Sequence, residues 1–199
     1  KGNLMKKIFI LFLCIFSSHA FSDERQPYTA EDREPCSIYV EDRMPLFGDL
    51  HVHTALSLDA HTQGTLNTPD DAYRYAKGQS LYLQPYKEDG TSSRISKLKQ
   101  PLDFAAVTDH AELLGEVRLC TDPESQKYNS LQCKTYRNFP KLSYFYMNAK
   151  ASMRKPLGIC GENRENCLNA AQLPWQETID AAEQHYDRSK TCQFSTFVG

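Results

Sequence analysis

The stretch Phe47-Gly-Asp-Leu-His51-Val-His53-Thr-Ala-Leu-Ser-Leu-Asp59 decides how the chain is interpreted. It begins as an apolar, strand-like run and reaches two histidines that are one residue apart. Side chains on a strand alternate between its faces, so His51 and His53 should point to one side while Leu50 and Val52 point into the opposite layer. Asp59 follows beyond a turn of small residues. Imidazole nitrogens and a carboxylate oxygen suit zinc, manganese or iron, so the stretch predicts part of a metal site.

A second predicted strand ends in the same kind of side chain. Residues 102–108 form a short apolar run of the type that is buried in a parallel sheet, and Asp109 and His110 follow directly. Sites in α/β proteins gather at the carboxyl ends of parallel strands, so these two strand ends predict one shared site. Asp109 either orients a histidine or caps the strand, and Glu112 is assigned to the first turn of the next helix.

The segments between these strands complete an α/β pattern. Residues 54–67 are assigned to a loop, and Thr68 caps a helix that has Pro69 in its first turn and ends at Gly78. Residues 79–100 are polar and contain an Asp-Gly turn signal, which predicts a hairpin or a loop.

A helix is expected over residues 111–118, and a long segment, 119–173, follows it. This segment contains four cysteines and an aromatic block. Connections in α/β units commonly have about 2–6 residues, so the segment is interpreted as an insertion. It is either a cap beside the site or a purely structural excursion that disulfides stabilise.

The last part of the chain predicts one more helix and one more strand. Apolar residues recur with the period of an amphipathic helix over residues 175–187, and this helix should pack on the sheet. The positions on its apolar stripe are Trp175, Ile179, Ala182 and Tyr186. His185 is expected on the protein surface near the end of this helix, and residues 191–198 alternate like a third strand.

The seven cysteines indicate disulfides. Cys14 lies in an apolar N-terminal run, and the other six form no Cys-x-x-Cys pair that would favour a thiolate metal site. Six cysteines allow about fifteen pairings. Proximity in the sequence favours Cys120 with Cys133 and Cys160 with Cys167, which leaves Cys36 to pair with Cys192.

The N-terminus has the pattern of a secretory signal. Met5, the expected initiator, is followed by two lysines, an apolar run and small residues up to Ala20. We therefore expect a signal peptide over residues 1–20 that is cleaved after Ala20, and a periplasmic or secreted protein. The apolar run is shorter than the about 20 residues that a stable membrane anchor needs. Residues 21–45 predict an extended lead-in, and residues 46–199 predict the functional domain.

The overall charge excludes one class of partner. The chain has 23 basic and 25 acidic residues and a formal net charge of −2, so no nucleic-acid footprint is indicated. There is also no Gly-rich phosphate loop and no Gly-x-Ser-x-Gly motif that would present an activated serine. The sequence gives no indication of the oligomeric state.

Three motifs, taken in order, resemble a known family. They are Gly48-Asp-Leu-His51-Val-His53-Thr, Thr68-Pro-Asp-Asp-Ala-Tyr and Leu102-Asp-Phe-Ala-Ala-Val-Thr-Asp109-His110-Ala-Glu112. Residues 47–199 thereby resemble the PHP (polymerase and histidinol phosphatase) superfamily of metal-dependent hydrolases, and more closely its exported family called domain of unknown function 3604. The resemblance implies the N-terminal part of a distorted (β/α)7 TIM-like barrel, with the disulfide-stapled insertion after the second motif strand.

The resemblance also implies a set of metal ligands. Carried over by position, His51, His53, Asp59 and His110 hold two or three divalent ions of zinc, manganese or iron at the C-terminal face of the strands. Asp109 or Asp49 would orient a histidine ligand. The later ligands of the superfamily would follow Gly199, so we expect an N-terminal fragment that is inactive alone.

These expectations lead to one main function and two alternatives. The main expectation is an exported metal-dependent hydrolase, in which metal-activated water attacks a small-molecule phosphoester or a related ester. An amidohydrolase-type or sulfatase-type metal hydrolase is the alternative within the enzymes. A secreted, metal-containing binding module without turnover is the alternative from another class.

Overall fold

The chain folds as a mixed α/β protein with a small parallel sheet and several helices. The computed structural model describes residues 35–37 and 40–199. In chain order the elements are β1 (Gly48–Val52), α1 (Leu58–Thr62), α2 (Pro69–Ala76), β2 (Leu81–Leu83), β3 (Arg94–Ser96), β4 (Phe104–Val107), α3 (Leu114–Thr121), α4 (Leu131–Asn138), α5 (Pro140–Ser152), α6 (Glu165–His185) and β5 (Ser195–Val198). Short 3-10 helices lie at Ala111–Leu113 and Gly158–Cys160.

The parallel sheet has the strand order β1-β4-β5, so β4 lies in its centre. Ala105, Ala106 and Val107 of β4 are buried, which confirms the buried strand that the sequence predicts. The third predicted strand is also present, as β5. The pairing of β1 with β4 shifts in register between Asp49 and Val52, which indicates a bulge in β1.

Leu50 does not pack into a layer, contrary to the alternation that the sequence predicts. Its side chain lies in the irregular part of β1 and is 57% exposed. The neighbouring Asp49 and His51 are exposed as well, so no layer within the described residues covers either face of β1 at this point. Phe197 of β5 is similarly exposed, and its ring contacts Phe104 edge to face.

Two helices, α2 and α6, pack on the sheet and form its core. Thr68 begins α2 with a capping box, in which its hydroxyl accepts from the Asp71 N–H and the Asp71 carboxylate accepts from the Thr68 N–H. Gly78 follows the helix with a φ of +84°, so the predicted start and end of α2 are confirmed. The core between the helices and the sheet consists of Tyr73, Ala76, Ala105, Val107, Ala181, Ala182 and Phe194.

Helix α6 is longer than predicted, and its packed face is displaced. It begins at Glu165, inside the expected insertion, and contains Pro174. Trp175, which the sequence places on the packed stripe, is 42% exposed, so that assignment is wrong. The buried residues of the helix are Cys167, Pro174, Thr178, Ala181, Ala182 and His185. The buried face therefore begins at Cys167, and from there it runs through Pro174, Thr178 and His185, each one position before a residue of the predicted stripe.

His185 was expected on the surface, and this expectation is also wrong. The residue is buried, and its Nε2 lies 2.8 Å from Asp70 Oδ1 on α2. The imidazole therefore joins α6 to α2 over the sheet.

The segment between α3 and α6 has its own packed interior. It contains α4 and α5, and its core is continuous with α3 and with Leu58 of α1. Gly115 allows α3 and α6 to approach closely, because a Cβ at this position would lie 1.9 Å from the carbonyl oxygen of Cys167. The antiparallel pair β2 and β3 confirms the predicted hairpin in residues 79–100.

Three disulfides join the six cysteines as the sequence suggests. They are Cys36–Cys192, Cys120–Cys133 and Cys160–Cys167. Disulfides are consistent with a secreted or extracellular protein. Within the described residues, no helix is both long and apolar enough to cross a bilayer. The predicted signal peptide and most of the predicted lead-in lie outside the described residues.

Candidate metal centre

The carboxyl ends of β1 and β4 are joined by a set of hydrogen bonds. The Thr108 N–H donates to the Val52 carbonyl oxygen (2.8 Å). The N–H and hydroxyl of Thr54 donate to the two carboxylate oxygens of Asp109, at 2.5 and 2.7 Å. Thr54 is buried, so these bonds are partly shielded from water. They fix the segments that carry His53 and His110 beside each other.

The two motif histidines accordingly meet at this edge of the sheet. The ring centroids of His53 and His110 are 4.8 Å apart, with the rings edge to face. The fold therefore brings together the histidines of the two strand ends, which the sequence places at one shared site.

Helix α1 brings Asp59 to the same place. The sequence assigns residues 54–67 to a loop, but five of them form α1, with Ser57 as the N-cap. Leu58 anchors the helix, because its side chain is buried in the core below α4 and α5. Asp59 consequently points back towards the strands, and its Oδ2 lies 2.8 Å from Nδ1 of His53 and 3.8 Å from Nε2 of His110.

Ser57 connects Asp59 to the second strand end. Its hydroxyl donates to Asp59 Oδ1 (2.6 Å) and accepts from the main-chain N–H of His110 (3.1 Å). The residue is fully buried. Ser57 therefore holds Asp59 on α1 and His110 after β4 in one arrangement, a role that the sequence analysis missed.

The two carboxylates at the site have opposite pKa shifts. Partial burial would raise the pKa of Asp59, but hydrogen bonds from Ser57, His53 and the Ala60 N–H together hold it below the ordinary value of 3.8. Asp109 is more deeply buried, and burial raises its pKa despite the hydrogen bonds from Thr54. Asp59 is thus kept as an anion that suits a cation, whereas Asp109 supports the backbone.

His53, Asp59 and His110 fit a divalent metal ion. One donor atom from each of the three side chains lies within 4.8 Å of the other two. Donor atoms on a single zinc-like ion, with bonds of about 2.1 Å, lie up to about 4.2 Å apart, so small side-chain rotations bring the three onto one ion. Two imidazoles and one carboxylate form a ligand set that zinc, manganese and iron accept.

His51, the other predicted ligand, lies beside this cluster. Its ring stacks on that of His53, with centroids 4.8 Å apart, so the two histidines do share one side of β1. Asp49 accepts a hydrogen bond from the main-chain N–H of His51 (2.9 Å) and so contacts its backbone. A cavity of about 460 Å³ opens here, lined in part by Asp49, His51 and His53.

Glu112 supports His110 from outside the cluster. Its Oε1 lies 3.2 Å from Nδ1 of His110. A carboxylate in this position fixes the orientation of the imidazole ring and leaves Nε2 directed towards Asp59. The sequence analysis assigned Glu112 only to the start of a helix, and its separation of two residues from His110 was the one available signal.

A second group of potential ligands is not a metal site. Glu116, Cys160 and Cys167 lie close together, but the two cysteines form a disulfide and offer no thiolate. His61 is also engaged elsewhere, because its Nδ1 lies 2.9 Å from the hydroxyl of Tyr136 on α4. Burial lowers the pKa of His61.

The fold and this cluster define an α/β protein with a candidate divalent metal centre at the carboxyl ends of neighbouring parallel strands. Residues 40–199 match the family model described as "Protein of unknown function (DUF3604)". The chain therefore belongs to this family, which confirms that part of the resemblance. A comparison with curated proteins finds no match, and a comparison with solved structures finds none.

Proposed function

We propose that this protein is an exported, metal-dependent hydrolase that cleaves ester bonds, with phosphoesters as the first substrate class. The observation that carries the proposal is the convergence of His53, Asp59 and His110, whose donor atoms lie within 4.8 Å of one another. These residues come from three separate elements, and buried Thr54 and Ser57 hold them in place. An accidental group of surface histidines would not have such support.

We extend the proposal to the fold of the PHP superfamily. The three parallel strands lie side by side in chain order, and the helices α2 and α6, one from each connection, pack against them. This is the arrangement with which a β/α barrel begins. The exposed apolar side chains of Leu50 and Phe197 suit strands that close into such a barrel.

The residues of the cluster have distinct roles in this proposal. His53, Asp59 and His110 would hold one ion, and His51 is placed beside them to serve a second. When bound at such a site, a divalent ion supplies Lewis acidity, which makes water nucleophilic near neutral pH and stabilises a leaving oxygen. Ser57 keeps Asp59 in position, and Glu112 keeps the ring of His110 in position. The cavity next to His51 and His53 gives a substrate access to them.

The proposal is tested by metal content and hydrolysis together. The full-length wild-type protein, its double variant His53→Ala/His110→Ala and its single variant Asp59→Asn are purified, and bound metal is measured by elemental analysis. Turnover is measured on phosphate, sulfate and carboxylate esters. We expect the double variant to lose both metal and turnover, because two of three ligands are gone.

Asp180→Asn is the matched control for Asp59→Asn. Asp180 lies on the exposed face of α6 and accepts a hydrogen bond from Gln176, so the change removes an equal charge far from the cluster. The control should keep metal and turnover. Unchanged metal content in His53→Ala/His110→Ala would refute the proposed centre, whereas metal without turnover in the wild type would indicate a binding module.

A further inference from the structure

A second cavity, rich in cationic side chains, adjoins the candidate metal centre. It has a volume of about 430 Å³ and lies between α3, the end of α5 and the start of α6. Its lining includes Lys150, Arg154, Lys155 and Arg164, together with Glu112 and Glu116. Glu112 also contacts His110, as described above, so the cavity begins next to a proposed metal ligand.

Arg154 occupies a backbone position that normally requires glycine. At the end of α5 the Lys155 N–H donates to the Lys150 carbonyl oxygen, and the Arg154 N–H donates to that of Ala151. These two bonds form a Schellman motif, in which the residue at the place of Arg154 adopts a positive φ. Arg154 has a φ of +55°, a left-handed conformation that is sterically unfavourable for an L-residue.

Arg164 is unusual in the same way and lines the same cavity. It is the N-cap of α6, where Ser, Thr, Asp or Asn in extended conformation is preferred, yet its φ is +61°. Of the three non-glycine residues with positive φ in the described chain, two therefore line this one cavity. Local strain that is retained at a cluster of residues points to a function.

The charges of the lining are only partly compensated. Glu116 is 3% exposed, and its Oε1 lies 3.8 Å from Nη2 of Arg164. Within the described part of the chain, Arg154 and Lys155 have no ion-pair partner, and Lys150 contacts only the ring of Tyr146 with its ammonium group. The cavity consequently offers arginine and lysine donors to an anion.

We propose that this cavity is a subsite for an oxyanion, a phosphate or sulfate group that the substrate carries in addition to the ester bond that is cleaved. The proposal rests on the proposed function for the cleaved bond, but the oxyanion binds to the cavity independently of any metal. Arg154 and Arg164 supply planar donors, and Lys150 and Lys155 supply further positive charge. A substrate with two anionic groups then spans from the cluster at His110 to the cavity.

The test measures binding of inorganic phosphate and inorganic sulfate to metal-stripped protein by calorimetric titration. Four proteins are compared: wild type, Arg154→Gly, Lys155→Gln and the metal-site variant His53→Ala/His110→Ala. We expect Arg154→Gly and Lys155→Gln each to weaken binding of the preferred anion by roughly tenfold, because each variant loses one charge-assisted hydrogen bond to the anion. The metal-site variant should bind the anion as well as wild type does.

Arg154→Gly separates lost binding from lost folding. Glycine adopts a positive φ without strain, so the thermal midpoint of this variant should stay unchanged or rise by up to about 3 °C. The matched control is Lys87→Gln/Lys134→Gln, which removes two positive charges from exposed positions that do not line the cavity. This control should keep the affinity of wild type.

Three outcomes would overturn the subsite. They are no measurable binding of either anion to wild type, equal weakening in the Lys87→Gln/Lys134→Gln control, and loss of binding in the metal-site variant alone. None of these results depends on hydrolysis, so a failure of the subsite is distinguishable from a failure of the proposed enzyme. The anion that binds more tightly identifies the group as phosphate or sulfate.

Discussion

Ser57→Ala is the substitution that tests most directly how the candidate centre is held together. The change removes one oxygen atom, which donates to Asp59 and accepts from the main chain of His110. A hydrogen bond to a charged group contributes about 1.5–3 kcal/mol, and a buried N–H without a partner costs about 1–3 kcal/mol. The side chain of Ser57 makes no capping bond to α1, so the helix itself loses nothing.

We therefore expect two effects of Ser57→Ala. The free energy of unfolding should fall by about 2–4 kcal/mol, because the Ser57 hydroxyl that makes both hydrogen bonds is fully buried. The affinity for Zn²⁺ or Mn²⁺ should fall roughly 10- to 100-fold, the usual effect of removing a group that orients a ligand. The first is measured by denaturant unfolding in the presence of a chelator, and the second by competition with a chelator of known affinity.

Thr178→Val provides the matched control, on α6. Thr178 is also buried, and its hydroxyl donates to the carbonyl oxygen of Pro174 (3.0 Å), away from the cluster. This variant should lose about 1 kcal/mol of stability and keep its metal affinity. If Ser57→Ala binds metal within twofold of wild type, the hydroxyl does not position Asp59, and the reasoning is refuted.

Two further predictions concern the fold around the site. Tyr73→Phe should lower the free energy of unfolding by about 2–4 kcal/mol, because the buried hydroxyl accepts from the N–H of Val107 and donates to the carbonyl oxygen of Phe197. Denaturant unfolding measures the change. A loss below about 0.5 kcal/mol would contradict the role of this hydroxyl in joining β4 to β5. Burial would raise the pKa of Asp71, but hydrogen bonds with Thr68 and the neighbouring Arg74 hold it below 3.8. The ionised carboxylate therefore stabilises the fold fully above about pH 4, and this stabilisation is lost as the pH falls through the lowered pKa. The free energy of unfolding of Asp71→Asn should therefore fall less than that of wild type between pH 5 and pH 2. If the free energies of both proteins fall in parallel over this range, the Asp71 carboxylate does not stabilise the fold.

The sequence predicted those elements that have strong local signals. Helix α2 has a capping residue, an N-terminal proline and a terminal glycine, and each has the predicted role. The strand β4 is a short apolar run, and it is buried as expected. Two disulfides close short loops, so proximity in the sequence was a sufficient guide to them.

Contacts over long sequence distances had no such signal. Helix α1 has five residues and no apolar period, and it depends on Leu58, which packs against residues far along the chain. The hydroxyl of Ser57 meets the N–H of His110 across 53 residues. The buried face of α6 was misplaced because the predicted helix began at Trp175, whereas the helix begins at Glu165 and continues through Pro174. A proline usually marks the start of a helix or a break in it, so no local signal indicated the preceding turns. Glu112 was missed because its partner, His110, lies in the turn that precedes it.

The contacts of α1 change the interpretation of the segment between α3 and α6. The sequence left two alternatives for it, a cap beside the site and a structural excursion. Leu58 is buried in the core of this segment, and His61 stacks on Tyr136 of α4 at a centroid distance of 5.3 Å. Both residues flank Asp59 within two positions on one short helix.

A helix of this length has little stability of its own, so its conformation depends on what it packs against. The position of Asp59 therefore follows from the packing of α4 and α5 as much as from the strands. Burial lowers the pKa of His61 and so favours the neutral imidazole, which suits the hydrogen bond with the Tyr136 hydroxyl. The same segment also supplies Lys150, Arg154 and Lys155 to the cationic cavity. It thus supports a proposed ligand on one side and forms the proposed oxyanion subsite on the other, so the two alternatives are not exclusive.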